Sequence, residues 1–190
     1  ELLYRDKVPD AWLLYLLGLC MGWKYRDTLA LTGRFHFPKR QEREFLELRL
    51  AVFEALNALF SWHKEDGSIS ALSAILSKLP LEGVLFVMAR SRKEDIRKHI
   101  SKYLTTLKDI SADISGEDLI SMGITPGPIF STILRQVLAA KHDGKVRDKT
   151  DQLVLAGKIA REMAEQEALQ AEATQDEETA QSPVSIQGGE

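Results

Sequence analysis

The sequence predicts an all-α protein, a multi-helical array of short-looped helices. Apolar residues recur along most of the chain at the i, i+3, i+4 and i+7 spacing of amphipathic helices. The one run with strand propensity, residues 84–88, has no second strand with which to pair, so it is predicted to be helical as well. With 190 residues, of which 44% are hydrophobic and 28% charged, the chain has the composition of a globular protein, which excludes a wholly disordered one.

The first predicted helix runs from Trp12 to Cys20, after Pro9 and Asp10. Its apolar residues occupy nearly all sides, which is typical of a buried helix, and Cys20 is expected in the core. A single cysteine excludes an internal disulfide and suits a reducing cytoplasm. The apolar run at residues 11–23 is shorter than the roughly 18 residues that a membrane-spanning helix requires, so no membrane association is predicted.

The same apolar spacing predicts further helices at residues 27–31, 41–62, 72–79, 84–88 and 92–108. Residues 35–38 are predicted to be an extended loop before the long helix. Ser68 or Ser70 caps the helix at residues 72–79, and Pro80 ends it.

Residues 109–148 carry the most informative pattern, which predicts a tight helical hairpin. Ser115 and Asp118 have capping-box spacing, so a short helix is predicted at residues 116–122. Gly123 suits the left-handed position that follows such a helix. The second helix is predicted from Pro126 to about Ala140, with Thr125 as its N-cap and Gly144 as its end.

The start of this second helix has few free amides. Pro126 and Pro128 have no N–H group, so the amides expected to point outward at the positive end of the helix dipole are those of Gly127 and Ile129, with Phe130 as a third candidate. This pattern predicts a small phosphate cradle.

The last helix is predicted to start at Asp148 or Thr150 and to continue through Met163, where apolar periodicity fades. Residues 164–190 are predicted to be an acidic, flexible extension, with disorder from Gln175 by composition. They hold seven acidic and no basic residues, which leaves residues 1–163 with 25 basic and 21 acidic residues, a net charge of +4. This bias is too mild to indicate nucleic-acid binding unaided.

An ordered set of motifs in this region resembles the signature of a known family. Ser115-Gly-Glu-Asp-Leu119, Met122-Gly-Ile-Thr-Pro-Gly-Pro128, Ile133-Leu134 and His142-Asp143-Gly144 resemble the C-terminal signature of bacterial tRNA nucleotidyltransferases. That family includes CCA-adding enzymes, A-adding enzymes and poly(A) polymerases. The residues that match this signature or are expected to hold its turns in place are Ser115, Gly116, Asp118, Gly123, Pro126, Pro128, Asp143 and Gly144. The chain departs from the family at Lys149-Thr150, where glutamates are usual.

The resemblance implies a division of the chain and a role for it. Residues 1–110 would be a helical body, residues 111–163 a helical tail, and residues 164–190 an extension. The sequence begins at Glu1 already in apolar periodic pattern, as a fragment of a longer chain does. The resemblance places the catalytic head upstream, because the chain has no pair of carboxylates one residue apart on a strand to hold two metal ions, and its one Gly-Ser step, Gly67-Ser68, is interpreted as a helix cap. Mg²⁺ with ATP or CTP would be used by that head, and no cofactor is expected in this fragment.

The partner that the resemblance implies is tRNA in the cytoplasm, with neither DNA nor a membrane. Contacts would be made to RNA shape and backbone, because double-helical RNA hides its base edges in a deep groove. The predicted RNA-binding residues form a basic stripe together with the helix start: Arg90, Arg97, Lys98, Lys102, Gly127, Ile129, Arg135, Lys141, Lys145 and Arg147.

No catalytic or metal-binding residue is predicted. His36, His63, His99 and His142 have no metal-ligand spacing, and Glu117 with Asp118 suits helix capping rather than acid–base chemistry. An alternative stays open at this point, an all-helical protein–protein interaction module in which the hairpin is a packing joint. A Gly-Ser and Asp-x-Asp head immediately upstream in a longer chain would distinguish the two hypotheses.

Overall fold

The computed structural model describes residues 9–180, without side chains at 167, 168 and 171–180. In these residues the chain is all-α, as predicted, and forms nine α-helices and one short 3-10 turn without a strand. It divides into two compact units between Ser111 and Ala112, next to the joint expected near Ser111. We refer to the described residues up to 111 as unit 1 and to those from 112 as unit 2.

Unit 1 contains six helices and the 3-10 turn at Leu107–Asp109. The helices are α1 Ala11–Cys20, α2 Tyr25–Arg34, α3 Lys39–Lys64, α4 Ile69–Leu76, α5 Leu81–Arg90 and α6 Glu94–Thr105. Helix α3 is central, because α4 and α5 both pack against it and α1 and α6 pack on α5. The side chains of Phe45, Leu48, Val52 and Leu59 bury one face of α3 in the core.

Several predictions for unit 1 are confirmed and others are wrong, among them the end of α4, which lies at Leu76 and not at Pro80. Residues 84–88 are helical, Ser68 caps α4 by accepting a hydrogen bond from the Ala71 amide at 3.2 Å, and Cys20 is fully buried. Burial raises the pKa of the Cys20 thiol. Helix α1, however, is not buried on every side, since Tyr15 is 80% and Leu19 58% exposed. Some apolar residues of α1 therefore lie on faces that no described element covers.

Unit 2 contains α7 Gly116–Ser121, α8 Pro128–His142 and α9 Lys149–Ala180. Helices α8 and α9 pack together, and Leu119, Ile133, Val137, Ala156 and Ile159 form most of the core. A buried glutamine holds the first residues of unit 2 in place. The side-chain oxygen of Gln152 accepts from the Asp113 amide at 2.8 Å, and its amide nitrogen donates to the Asp113 carboxylate at 2.6 Å.

Helix α9 is longer than predicted. It continues to Ala180, well past Met163, so residues 164–180 of the predicted extension are helical. The reason is propensity: Ala, Gln and Glu, which dominate this stretch, are strong helix formers even without apolar periodicity. The rest of the predicted extension, residues 181–190, lies outside the described residues.

Candidate functional site

The capping box at the start of α7 is present and is tied to the start of α9. The Ser115 amide donates to Asp118 Oδ2 at 2.8 Å, and the Ser115 hydroxyl lies 3.1 Å from the same oxygen. The other carboxylate oxygen of Asp118 pairs with Lys149 Nζ at 2.7 Å. The Lys149 ammonium and then the Ser115 amide hold the pKa of Asp118 below its ordinary value. Lys149 departs from the pattern of the family that the motifs resemble, and its ion pair with Asp118 joins the start of α7 to the start of α9.

Two glycines end the helices of the hairpin in the left-handed conformation, which the sequence predicts for Gly123. Gly123 has φ +82°, and the amides of Gly123 and Ile124 donate to the carbonyls of Ile120 and Leu119 at 2.9 and 3.1 Å. Gly144 has φ +71° and makes the equivalent turn after α8. Both turns are Schellman motifs, which satisfy the last carbonyls of a helix.

The start of α8 differs from the prediction. The helix begins at Pro128 with Gly127 as its N-cap, not at Pro126 with Thr125 as the cap. A residue that precedes proline is pushed out of the helical region, and Gly127 precedes Pro128, so its backbone is extended with φ 174° and ψ −170°. The Phe130 amide is not free either, because it donates to the Gly127 carbonyl at 3.1 Å. Within residues 9–180 no acceptor is found for the amides of Gly127 and Ile129.

The α7–α8 loop, the first turns of α8 and the middle of α9 enclose a hollow of about 690 Å³, which we call the hairpin pocket. Met122, Ile124, Pro128, Ile129, Ala160 and Met163 give it apolar walls. Its polar side chains are Thr125, Thr132 and Arg161. Gly157 allows α9 to approach the loop, since a Cβ there would lie 3.2 Å from Met122 Cε.

Arg161 was not among the predicted site residues. It is exposed, and among the described residues no ion pair or hydrogen bond of its side chain is found. Nothing in the local sequence marks it, because it reaches the motif only through the packing of α9 on the α7–α8 loop.

The predicted basic residues of unit 2 fall into two groups. Arg135 and Arg147 are exposed, and no ion pair of either side chain is found in the part of the chain that the structure describes. Lys141 is half-buried and pairs with Asp113 at 2.7 Å, while Lys145 pairs with Asp143 at 3.4 Å. The Lys141 ammonium and then the Gln152 amide hold the pKa of Asp113 below its ordinary value. Lys141 therefore already has a structural role.

The other predicted basic residues, Arg90, Arg97, Lys98 and Lys102, all lie in unit 1 and are exposed. Arg97 and Lys98 border a shallow hollow of about 390 Å³, in which Arg97 pairs with Glu94 at 2.7 Å. Two exposed basic residues nearby, Arg92 and Lys93 in the α5–α6 connection, were missed. Their signal was present in the sequence, since Arg90-Ser-Arg92-Lys93 is a short basic cluster.

The chain is distantly similar to an A-adding tRNA nucleotidyltransferase. The relative is from Geobacter sulfurreducens, and the two sequences are 26% identical over 162 residues. These residues make up 84% of this chain but 18% of the relative, so the chain spans less than a fifth of that enzyme's length. No family model matches the chain, and no solved structure matches it. The similarity supports the family that the motifs indicate, at a distant level.

Two features are not found among residues 9–180. No group of three or more His, Cys, Asp or Glu side chains lies close enough together to hold a metal ion. No helix in these residues is both long and apolar enough to cross a bilayer.

Proposed function

We propose that this chain is the tRNA-binding C-terminal portion of a tRNA nucleotidyltransferase and that the catalytic head lies outside it. The observation that carries the proposal is the alignment of both units with a small part of an A-adding enzyme, in a chain without the paired carboxylates of nucleotidyl transfer. On this proposal the chain positions tRNA, while Mg²⁺ and ATP or CTP belong to the missing head.

The exposed cations supply the contacts in this proposal. Arg135 and Arg147 in unit 2, and Arg90, Lys98 and Lys102 in unit 1, neutralise backbone phosphates. The unpaired amides of Gly127 and Ile129 add neutral donors at the start of α8. Lys141 and Lys145 contribute less, because each is held by a carboxylate of its own unit.

Binding to tRNA is the first test. The chain is expected to bind tRNA with an affinity that falls as salt rises, with a logarithmic slope of about −0.7 to −0.9 per phosphate neutralised. Arg147→Gln is expected to weaken binding and to reduce that slope by the share of one phosphate. The matched control is Lys158→Gln, which removes the same charge from an exposed residue of unit 2 outside the proposed set. Equal effects of the two variants, or an affinity independent of salt, would contradict the assignment.

Nucleotide transfer is the second test. Incubated with tRNA, Mg²⁺, ATP and CTP, the chain alone is expected to add no nucleotide, because it lacks the carboxylate pair. Incorporation above a heat-inactivated control would show that catalytic groups exist in the chain itself.

A further inference from the structure

The hairpin pocket has two chemically distinct parts, and together they define what it accepts. Its apolar part combines two thioethers, those of Met122 and Met163, with the aliphatic side chains of Ile124 and Ile129. Methionine sulfur makes favourable contacts with aromatic rings, and flexible methionine side chains adapt to a flat surface. Its volume of about 690 Å³ lies within the roughly 300–1,000 Å³ of ligand pockets, which is large enough for a bicyclic ring.

The polar part of the pocket favours an anion. Arg161 is the charged residue of the lining, and no acidic side chain of the described residues borders the pocket to neutralise it. A guanidinium presents its N–H groups as a planar fork that matches the oxygens of a phosphate. Thr125 and Thr132 add hydroxyl groups that both donate and accept hydrogen bonds, as the polar edge of a base requires.

A nucleotide joins a flat aromatic ring to a phosphate, and it is the ligand of this kind that the proposed function supplies. We propose that the hairpin pocket binds one unpaired nucleotide of an RNA, with its base against the methionine and isoleucine side chains and its phosphate on Arg161. This inference rests on the proposed function, which supplies the RNA. The nucleotide must be unpaired, because a base in an A-form helix is stacked and does not expose its faces. The site gives the chain a way to read RNA shape, since bulges, loops and ends offer such nucleotides whereas a continuous duplex does not.

The test compares two RNA hairpins that differ by one bulged nucleotide, which is 2-aminopurine. The full chain is expected to bind the bulged hairpin about tenfold more tightly than the continuous one, as one charge-assisted contact and one buried ring imply. The fluorescence of the 2-aminopurine is expected to change on binding because its environment changes.

Two variants separate the parts of the pocket. Ala160→Leu fills the apolar part, and it is expected to abolish the preference for the bulge while leaving binding to the continuous hairpin unchanged. Arg161→Ala is expected to weaken binding of the bulged hairpin about tenfold, with partial recovery in Arg161→Lys. Because Arg161 is exposed, Arg161→Ala and Arg161→Lys are expected to fold even if Ala160→Leu does not. The matched control, Lys158→Ala, removes an exposed cation of α9 that does not line the pocket, and is expected to affect both hairpins equally.

The outcomes distinguish this inference from the proposed function. One outcome is tight, salt-dependent binding of both hairpins without preference, in which Arg161→Ala has no more effect than the Lys158→Ala control. That result would overturn the pocket assignment and leave the proposed function standing. Failure to bind either hairpin or tRNA would overturn both. Preference for the bulge that survives Ala160→Leu and Arg161→Ala would place the nucleotide elsewhere and also refute the pocket.

Discussion

Among the described residues, the core of unit 1 contains seventeen buried hydrophobic side chains, whereas the core of unit 2 contains six. Unit 2 supplements its small core with polar ties: Gln152 to Asp113, Lys141 to Asp113, and Lys149 to Asp118. We therefore expect buried apolar area to contribute most of the stability of unit 1, and specific hydrogen bonds and ion pairs to contribute a larger share in unit 2. A small domain gains from such ties because its surface is large for its volume.

The largest effect is expected in the core of unit 1. Phe45→Ala removes a side chain that is 1% exposed and leaves a cavity, so we expect a loss of about 3–5 kcal/mol in the free energy of unfolding, measured by urea denaturation. The control is Phe53→Ala on the same helix, where the ring is 54% exposed. Its cost is expected to stay within about 1 kcal/mol. Equal losses would show that the outer face of α3 is as well packed as its inner face.

Unit 2 is expected to depend on one buried amide. Gln152→Ala leaves the Asp113 amide without its acceptor and the Asp113 carboxylate without one donor, so we expect a loss of about 1–3 kcal/mol. Hydrogen exchange localises the effect to α7, α8 and α9. Gln136→Ala, at an exposed glutamine of α8, is the matched control and should change little. If exchange in unit 2 were unaltered by Gln152→Ala, polar ties would not be what distinguishes the two units.

The ion pairs of unit 2 predict how its stability depends on pH. The folded pKa values of Asp113 and Asp118 lie below their ordinary values, so the unfolded state binds protons first as the pH falls. The stabilisation is complete above the unfolded pKa of about 3.9, and is lost as the pH falls through the lowered folded values.

Asp118→Asn tests this dependence. The variant should melt below the unchanged chain at pH 7, and the difference should shrink in acid as the native carboxylate is protonated. Lys149→Met removes the other partner of the pair and should show the same trend. A difference in melting temperature that stayed constant from pH 7 to pH 2 would mean that the charge of Asp118 is unimportant.

The two units also differ in how much of them the sequence predicts. Local rules were sufficient for the capping box of Ser115 and for the left-handed Gly123, because each depends on near neighbours in the chain. Residues 84–88 have strand propensity by local rules, and their helical state was predicted because the chain offers no second strand. The start of α8 was predicted two residues early, although the rule that a residue before proline avoids helix decides it at Gly127.

Tertiary packing accounts for what local rules missed. Periodicity reports which faces are apolar but not which are covered, so the exposure of Tyr15 and Leu19 on α1 was not predicted. Arg161 lies 38 residues from Gly123, and the two meet only because α9 packs against the hairpin. The pairing of Lys141 with Asp113 is likewise a contact between distant positions. For these reasons the helices were easier to predict than the site.

The smallest effect on stability is expected at Gly127, where folding and binding separate. A Cβ at this extended N-cap meets no atom within 4 Å, so a side chain is accommodated. Ala is a poorer N-cap than glycine but reduces the entropy of the unfolded chain by about 0.4–1 kcal/mol, so Gly127→Ala should leave the melting temperature nearly unchanged. Gly127→Ser and Gly127→Asp should both raise it slightly, because each oxygen can accept a hydrogen bond from the Ile129 or Phe130 amide. Their effects on tRNA should differ: if a phosphate approaches the start of α8, the serine variant binds somewhat more weakly and the aspartate variant much more weakly, since its charge repels the RNA. Equal tRNA affinity in the serine and aspartate variants would show that the Pro126-Gly127-Pro128 turn is a packing joint and that RNA contacts lie elsewhere in unit 2.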